Sequence, residues 1–440
     1  MEKKVDVLLG LQWGDEGKGA FIDRLTLNYD IVARFQGGPN AGHTLEFDGQ
    51  KHVLHLIPSG IFHDDVMNVL GNGVVVEPVI FKKEFLDIHS KFGIDVASRL
   101  IISNKAKLIL PTHRLLDAAN EFVKGKDKIG STGKGIGPTY QDDKARIGLR
   151  VGDIFKPDFM ERYYNLKEIH MGLLLNHYKF PIPNHIIDNQ ILNDYEKDWI
   201  RSIDLLKSCK VGDTEHYLNK AIDSDQNILV EGAQGTLLDI EFGTYPMVTS
   251  SNVTSGGVCT GLGIAPNKIG EVIGIFKAYT TRVGNGPFPT ELFDGKEMLD
   301  VEGETMHKVG KEFGATTGRI RRCGWLDLPA LKYACMINGI TKLYMTKADV
   351  LSLNNGFDRV KVAVGYHLKN NTNLFEFMPD RLDEIDSIIY KEFQSWPELS
   401  ASSYPNELQD YVKFIERDLG IKVEMISIGP DRTEVLDLSR

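Results

Sequence analysis

The sequence predicts an α/β fold: a mostly parallel central sheet with flanking helices, plus a helical insertion. Three observations lead there. Short apolar runs bounded by turn residues alternate with helix-patterned stretches along most of the chain. The first run, residues 5–11 (VDVLLGL), opens directly into a glycine loop, QWGDEGKG at 12–19. Residues 156–225 then break the alternation, being polar, poor in glycine and helix-patterned.

Taken in order, residues 20–27 read as a short helix starting on the glycines, and 30–35 as the next strand. Residues 66–70 (VMNVL) form a strand stopped by Gly71-Asn72-Gly73. In 78–92 the helical rhythm puts Phe81, Phe85, Ile88 and Phe92 on one side. A strand at 100–102 and a helix at 114–123 follow. In 156–225, Trp199, Ile200, Ile203 and Leu206 mark a helical elaboration expected to pack on the core without carrying chemistry. The α/β pattern resumes with NILV at 227–230, which leads into EGAQG, and with GEVIGIFKAY at 270–279. A helix at 326–337, the strand KLYM at 342–345, strands at 360–364 and 423–428 and a helix at 407–419 complete it. Candidate chemistry is spread from residue 12 to residue 432, so a single domain over 1–440 is expected, although length alone suggests about three.

Apolar content of 42% and charged content of 25% are those of an ordinary globular protein. With 51 basic and 61 acidic residues the net charge is −10, which argues against general binding to nucleic acid or to anionic membranes. No apolar run approaches the ~18 residues of a membrane span. Asp6 and the DEGKG loop interrupt the start too early for a signal peptide. The four cysteines show neither a CxxC pair nor metal-ligand spacing, so reduced thiols and a cytoplasmic location are expected.

The first loop is a variant of the P-loop-NTPase kind. A Walker loop follows its Gly-Lys with Ser or Thr to bind Mg²⁺; here Gly17-Lys18 is followed by Gly19. Backbone N–H groups at a helix N-terminus still favour phosphate. A structural turn would also explain the glycines, but the flanking strand and helix favour the anion site. Without the hydroxyl, a metal must find ligands elsewhere, and Asp15 is the nearest. A second glycine loop, QGGPNAGHT at 36–44, holds His43 among glycines rather than on an apolar face. Asp15 and His43 are the candidates for acid–base work. TKAD at 346–349 stands at a strand end, where its aspartate can accept two hydrogen bonds from guanine; adenine would leave that carboxylate unpaired. A capped surface turn is the plainer alternative. The run ATTGRIRR at 315–322 suits a carboxylate or phosphate gripped by arginine, or else forms a solvated basic face. STGKGIGP at 131–138, followed by Arg146, is a further candidate anion loop.

Together with EGAQGTLLDI, YPMVTSSN, GPFPTEL, RRCGWLD and GPDR, these motifs closely resemble the adenylosuccinate synthetase family over nearly the whole chain, in the family's order. The resemblance implies GTP-dependent ligation of IMP and L-aspartate to adenylosuccinate through 6-phosphoryl-IMP, the first committed step of AMP biosynthesis. Asp15 matches the general base, His43 the general acid, and Gln234 and Lys18 supporting catalytic groups. GTP is implied at Gly14, Asp15, Glu16, Gly17, Lys18, Gly19, Ala20, Gly42, His43, Thr44, Arg321, Lys347, Ala348, Asp349, Ser427, Ile428 and Gly429. IMP is implied at Asp15, Glu16, Gly17, Lys18, Asn40, Ala41, Gly42, His43, Thr132, Arg146, Gln234, Thr249 and Arg319. The aspartate substrate is implied at Ala315, Thr316, Thr317, Gly318, Arg319, Ile320 and Arg321. One Mg²⁺ per subunit would sit on Asp15 and the Gly42 carbonyl. Arg146 matches a residue that the family supplies across a homodimer, which is the sole source of the dimer expectation. Three departures are visible. Ala20 replaces a frequent basic residue, Lys134 a frequent arginine with its bidentate fork, and Pro39 stands where some relatives have histidine.

Three rival readings stand beside this one. A related synthetase could act on another purine nucleotide or use ATP; TKAD opposes ATP. A GTP-binding regulatory protein has no use for the arginine loop beside Asp15, His43 and Gln234. A Rossmann dehydrogenase is opposed because no GxGxxG follows the first strand of this chain and no acidic ribose partner stands at the usual spacing.

Overall fold

The computed structural model describes residues 5–47, 50–182, 185–292, 300–314, 318–429, 431 and 433–439. Its frame is a ten-stranded sheet with Val5–Gly10 at the centre. On one side lie Ile228–Glu231, Ile31–Arg34, Met67–Leu70, Leu100–Ser103 and Lys210–Gly212. On the other lie Ile269–Lys277, Lys342–Thr346, Val423–Ser427 and Val435–Asp437. Every pairing is parallel except the last.

A parallel sheet is covered on both faces, so its strands read as apolar runs rather than alternating ones. Val5, Val7 and Leu9 pack with Phe35, Val230 and Phe276 on one face. Leu8, from the other face, joins Phe21 and Ile22 of the helix Lys18–Thr26 and Ile273. Val5–Gly10 therefore has no exposed side, and the chain's order reverses around it. Loops leaving the C-terminal ends of such strands at this reversal are where α/β folds place ligands.

The helix predicted at 78–92 is found with those bounds, as Pro78–Phe92, capped by Glu77 with Pro78 in the first turn. The helix expected from 114 starts earlier, at Pro111, and runs to Lys124. The helix expected from 326 is preceded by a short strand, Leu326–Asp327, and begins at Leu328 where Asp327 caps it. Several elements carry no clear signal in the sequence, two regions among them. The hairpin His43–Phe47 with Gln50–Leu54 places His43 on a strand rather than in a loop. Arg359–Leu368 extends beyond its predicted bounds to pair with Ile385–Gln394, a long half-exposed strand whose polar residues hide it.

The stretch 156–225 is mainly helical, with Phe159–Gly172, Leu192–Ser208 and Thr214–Asp223. It also supplies the sheet's edge strand, Lys210–Gly212, so it is woven into the core; three residues are too few to betray a strand by periodicity. Trp199 is fully buried, stacks on Tyr163 at 4.9 Å and donates to the Ile109 carbonyl at 2.8 Å. Asp142 accepts from Nε2 of both His113 and His170, each at 2.8 Å, tying three helices. The Leu110 N–H meets His113 Nδ1, so Nε2 carries the proton and the cluster is a hydrogen-bonded tie.

Candidate active site

The first loop is held from beneath. Gly14, Asp15 and Gly17 all adopt positive φ (83°, 57° and 83°). That lets the chain turn tightly into the helix Lys18–Thr26, whose start has no side-chain cap. Glu16 is fully buried, and its Oε1 accepts the N–H of Gln12 (3.1 Å) and Gly14 (2.9 Å). Its Oε2 takes Lys18 Nζ at 2.7 Å, and Nζ also donates to the Gln234 carbonyl at 2.6 Å. A Cβ at Gly10 or at Gly235 would overlap the Glu16 carboxylate, and one at Gly19 would overlap the Thr44 carbonyl. Those glycines let the two loops and EGAQG close on one another.

His43 begins its strand buried, with Nδ1 against Glu231 Oε1. Burial pushes the imidazole below its ordinary pKa, against the pull of Glu231. Its Nε2 is buried with no hydrogen-bond partner, and so are both side-chain amide atoms of Gln234. Gln234 is also held at φ 59°, and its side chain lies against Gly37 of the second loop. Such groups cost about 1–3 kcal/mol each unless something satisfies them; a polar ligand would. Gln36 fastens the second loop to EGAQG through the Ala233 carbonyl (2.7 Å) and accepts from Ser251 (3.1 Å). Asn40 accepts from the Gly38 N–H at 3.1 Å. The Thr249 N–H bonds to the Leu238 carbonyl at 2.9 Å.

The arginine loop meets the first loop directly. Arg321 Nε donates to Asp15 Oδ2 at 2.8 Å, and its Nη1 to Glu312 Oε2 at 2.6 Å. Glu312, fully buried, also takes Lys277 Nζ at 2.8 and 2.9 Å and the Tyr279 hydroxyl at 2.5 Å. Burial alone would raise the Glu312 pKa, but Lys277 and Arg321 hold it down at about 2. Arg319 Nη1 approaches Gly130, next to the STGKGIGP loop. Gly318 has φ 65° and Ile320 is exposed, while Ala315, Thr316 and Thr317 lie outside the described residues.

TKAD sits on the neighbouring side. Thr346 Oγ1 donates to the Glu16 carbonyl at 2.6 Å, joining this strand end to the first loop. Lys347 turns at φ 62° and donates to the Gly310 carbonyl at 3.1 Å. Burial raises the Asp349 carboxyl pKa. Ala348 is buried, its carbonyl taken by Trp396 at 2.8 Å. From the adjacent parallel strand, Ser427 donates to the Gly429 carbonyl at 2.9 Å, and the Ile428 N–H bonds to the Glu434 carbonyl at 2.9 Å.

STGKGIGP is clamped differently from a free anion loop. Glu121 accepts the N–H groups of Ile129, Gly130 and Ser131, and Asp117 accepts the Ser131 hydroxyl and the Gly135 N–H. Thr132 and Lys134 remain, with Lys134 3.5 Å from Asp188, which also pairs with Arg114. Arg146 ends the helix Ile136–Ala145 at φ 64°, exposed. Among the described residues its side chain makes no hydrogen bond or ion pair within the chain.

Glu231, Glu312 and Lys277 were not singled out in the sequence. A lysine within the apolar run GEVIGIFKAY implies a buried counter-ion, since lysine is almost never fully buried unpaired.

A family model described as adenylosuccinate synthetase matches residues 7–436. The chain belongs to the adenylosuccinate synthetase family. An adenylosuccinate synthetase from Christiangramia forsetii is 57% identical over 439 residues, covering 98% of this chain and 99% of the relative. The structure of a fully ligated adenylosuccinate synthetase from Plasmodium falciparum superposes with a TM-score of 0.86 at 36% identity, covering 99% of both chains. A cyanophage S-2L succinoaminodeoxyadenylate synthetase, bound to dGMP and dATP, shares the fold at a TM-score of 0.60 and 19% identity, covering 100% of this chain and 96% of that one. Family membership makes the chain an enzyme, a GTP-dependent ligase of purine biosynthesis. Among the described residues, no helix is long and apolar enough to cross a membrane.

Proposed function

We propose that the protein joins IMP to L-aspartate with cleavage of GTP, by way of 6-phosphoryl-IMP. The observation that carries this reading is the meeting of two loops that offer complementary chemistry. The Asp15 carboxylate, paired through Oδ2 with Arg321, stands as the base, and the buried, unsatisfied His43 Nε2 and Gln234 amide await a polar ligand. Asp15 accepts the N1 proton of IMP. The electron pair moves to O6, which attacks the γ-phosphorus of GTP as the bond to the bridging oxygen breaks and GDP leaves. His43 hydrogen-bonds the phosphoryl oxygens through Nε2, and Gln234 supports the purine oxygen. The aspartate amine then attacks C6, and O6 departs with the phosphate. Phosphorylation is needed because an amide-like oxygen is a poor leaving group. Catalysis of this kind rests on positioning and electrostatics, with acid–base help worth about 10²–10⁴-fold.

GTP phosphates lie on the backbone from Gly14 to Ala20 and on Gly42 and Thr44, and guanine between Lys347, Asp349 and the turn Ser427, Ile428, Gly429. IMP is held by Asn40, Thr132, Thr249 and Arg319. The arginine loop, including Arg321, grips the aspartate carboxylates. Asp15 and the Gly42 carbonyl are hard oxygen donors of the kind Mg²⁺ takes and would hold it, and the ion would supply charge neutralisation on the phosphates. Asp15 is only partly exposed and shares Oδ2 with Arg321, so Arg321 must give up this contact or share the carboxylate. Arg146, exposed and without a hydrogen bond or ion pair among the described residues of its own chain, reaches the IMP phosphate of the partner subunit in a homodimer. The cytoplasm is the proposed location.

The path is tested by supplying IMP labelled with ¹⁸O at O6. Label recovered in inorganic phosphate supports phosphorylation of O6. Label released into water instead, with adenylosuccinate formed, contradicts it.

A further inference from the structure

The helical insertion reaches the STGKGIGP loop through one carboxylate. Ile187 and Gln190 exchange backbone hydrogen bonds at 2.8 and 2.9 Å, closing a tight turn around Asp188 and Asn189. Both central residues sit at positive φ, 45° and 67°, as the tightest hairpin turns require and as Asp and Asn tolerate. Ile187 anchors the turn, buried in one apolar cluster with Leu115 and Leu116 of the helix Pro111–Lys124. Asp188 meets Arg114 of that helix. Arg114 donates from Nη1 to Oδ2 and from Nη2 to Oδ1, the latter at 2.9 Å, as a bidentate pair. Its Nη1 also donates to the Tyr195 hydroxyl at 2.8 Å, and its Nε to the Gly133 carbonyl of the loop at 3.1 Å. The Arg114 side chain is 6% exposed and that of Asp188 42%, so the cation leans on this carboxylate rather than on water. Glu77, a further acid near it, spends Oε2 on the Ile80 N–H at 2.7 Å.

The loop is thus held from two sides. Glu121 and Asp117 take its N–H groups, and Arg114 takes its Gly133 carbonyl, where the backbone stands at φ 65°. Thr132 lies between the fixed N–H of Ser131 and the fixed carbonyl of Gly133. We propose that Asp188 is a positioning residue for IMP: by holding Arg114 in its bidentate pair it fixes the Gly133 carbonyl, and with it the placement of Thr132. This rests on the place given above to IMP. The insertion, expected to pack on the core without carrying chemistry, then shapes the nucleotide site from outside. Lys134 lies 3.5 Å from the same carboxylate, but a point charge cannot replace the guanidinium fork.

Asp188→Asn keeps a residue that tolerates positive φ, removes the charge, and turns an NH₂ donor toward an Arg114 N–H. In steady-state kinetics the KM for IMP should rise by about tenfold or more, the value of a hydrogen bond to a charged group. Turnover and the KM for GTP should stay within about twofold, because the lost interaction places a substrate contact and not the reacting atoms. A role in stability alone would lower the unfolding midpoint and leave the KM for IMP native. Asp188→Gly eases the turn and removes the carboxylate outright, so it should raise the KM for IMP at least as far. Arg114→Gln combined with Asp188→Asn should lose no more than Arg114→Gln alone, since Asp188 acts through the guanidinium.

A native KM for IMP in both Asp188 variants, or a matching change in turnover and in the KM for GTP, would overturn the positioning role. Additive losses in the double variant would overturn it as well; should Arg114→Gln not fold, the two Asp188 variants decide alone. Thr132→Val removes a hydroxyl from the loop itself and separates the two readings. A raised KM for IMP there, with native values in the Asp188 variants, strikes only Asp188 and leaves the IMP site intact. A native KM for IMP in Thr132→Val and in both Asp188 variants would overturn the placement of IMP on this loop together with the proposal.

Discussion

Replacing Glu312 with glutamine removes one charge from a buried cluster and leaves Lys277 behind. Glu312 is fully buried, with Lys277, Arg321 and the Tyr279 hydroxyl all on its carboxylate, and Lys277 is itself only 1% exposed. A pKa held at about 2 instead of 4.5 corresponds to about 3 kcal/mol of stability at neutral pH. Removing one partner of a buried pair independently suggests about 3–5 kcal/mol. The sign is that of a depressed carboxyl. Its contribution is complete above pH 4.5, the free-chain value, and fades as pH falls toward 2. Urea unfolding of both proteins should therefore show a gap of about 3–5 kcal/mol at neutral pH, narrowing once pH drops below 4.5. Lys277→Met with Glu312→Gln should recover part of the loss, because no lone ammonium stays buried. A gap under about 1 kcal/mol, the value of an exposed pair, or one that does not change with pH would refute this reasoning.

Other substitutions address the site. Asp15→Asn should keep the fold, as judged by circular dichroism, and lower turnover by at least about 10²-fold, because an amide cannot take the N1 proton; near-native activity would remove the proposed base. Asp349→Asn should raise the KM for GTP by about tenfold to a hundredfold, the value of hydrogen bonds to a charged group, and an unchanged GTP-over-ATP ratio would contradict the guanine assignment. Mixing inactive Arg146→Leu and Asp15→Asn chains should restore part of the activity when heterodimers form. No recovery from demonstrated heterodimers would argue against a site shared between subunits.

The parallel strands were legible because burial on both faces leaves apolar runs: Val5–Gly10, Ile228–Glu231 and Lys342–Thr346 lie within a residue or two of their predicted places. Elements with one wet face were not. Ile385–Gln394 (IDSIIYKEFQ) mixes polar and apolar residues without a period of two on a half-exposed ribbon, and the hairpin carrying His43 hid behind a glycine-rich stretch. In the site, glycine loops announce themselves locally, since only glycine permits the close approaches at Gly10, Gly19 and Gly235. The partners that fix side chains do not. Glu231 meets His43 across 188 residues, and Glu16 turns beneath the first loop, taking two of its N–H groups. Similarly, the acidic side chains that clamp STGKGIGP lie on the preceding helix, where nothing in the motif points to them.

The most direct measurement is product analysis by mass spectrometry. Purified protein is incubated with Mg²⁺, IMP and L-aspartate, with GTP or ATP in parallel. Adenylosuccinate and GDP in equal amounts, with GTP strongly preferred, are the predicted result. Consumption of GTP without adenylosuccinate, or no turnover by folded protein, would contradict the account.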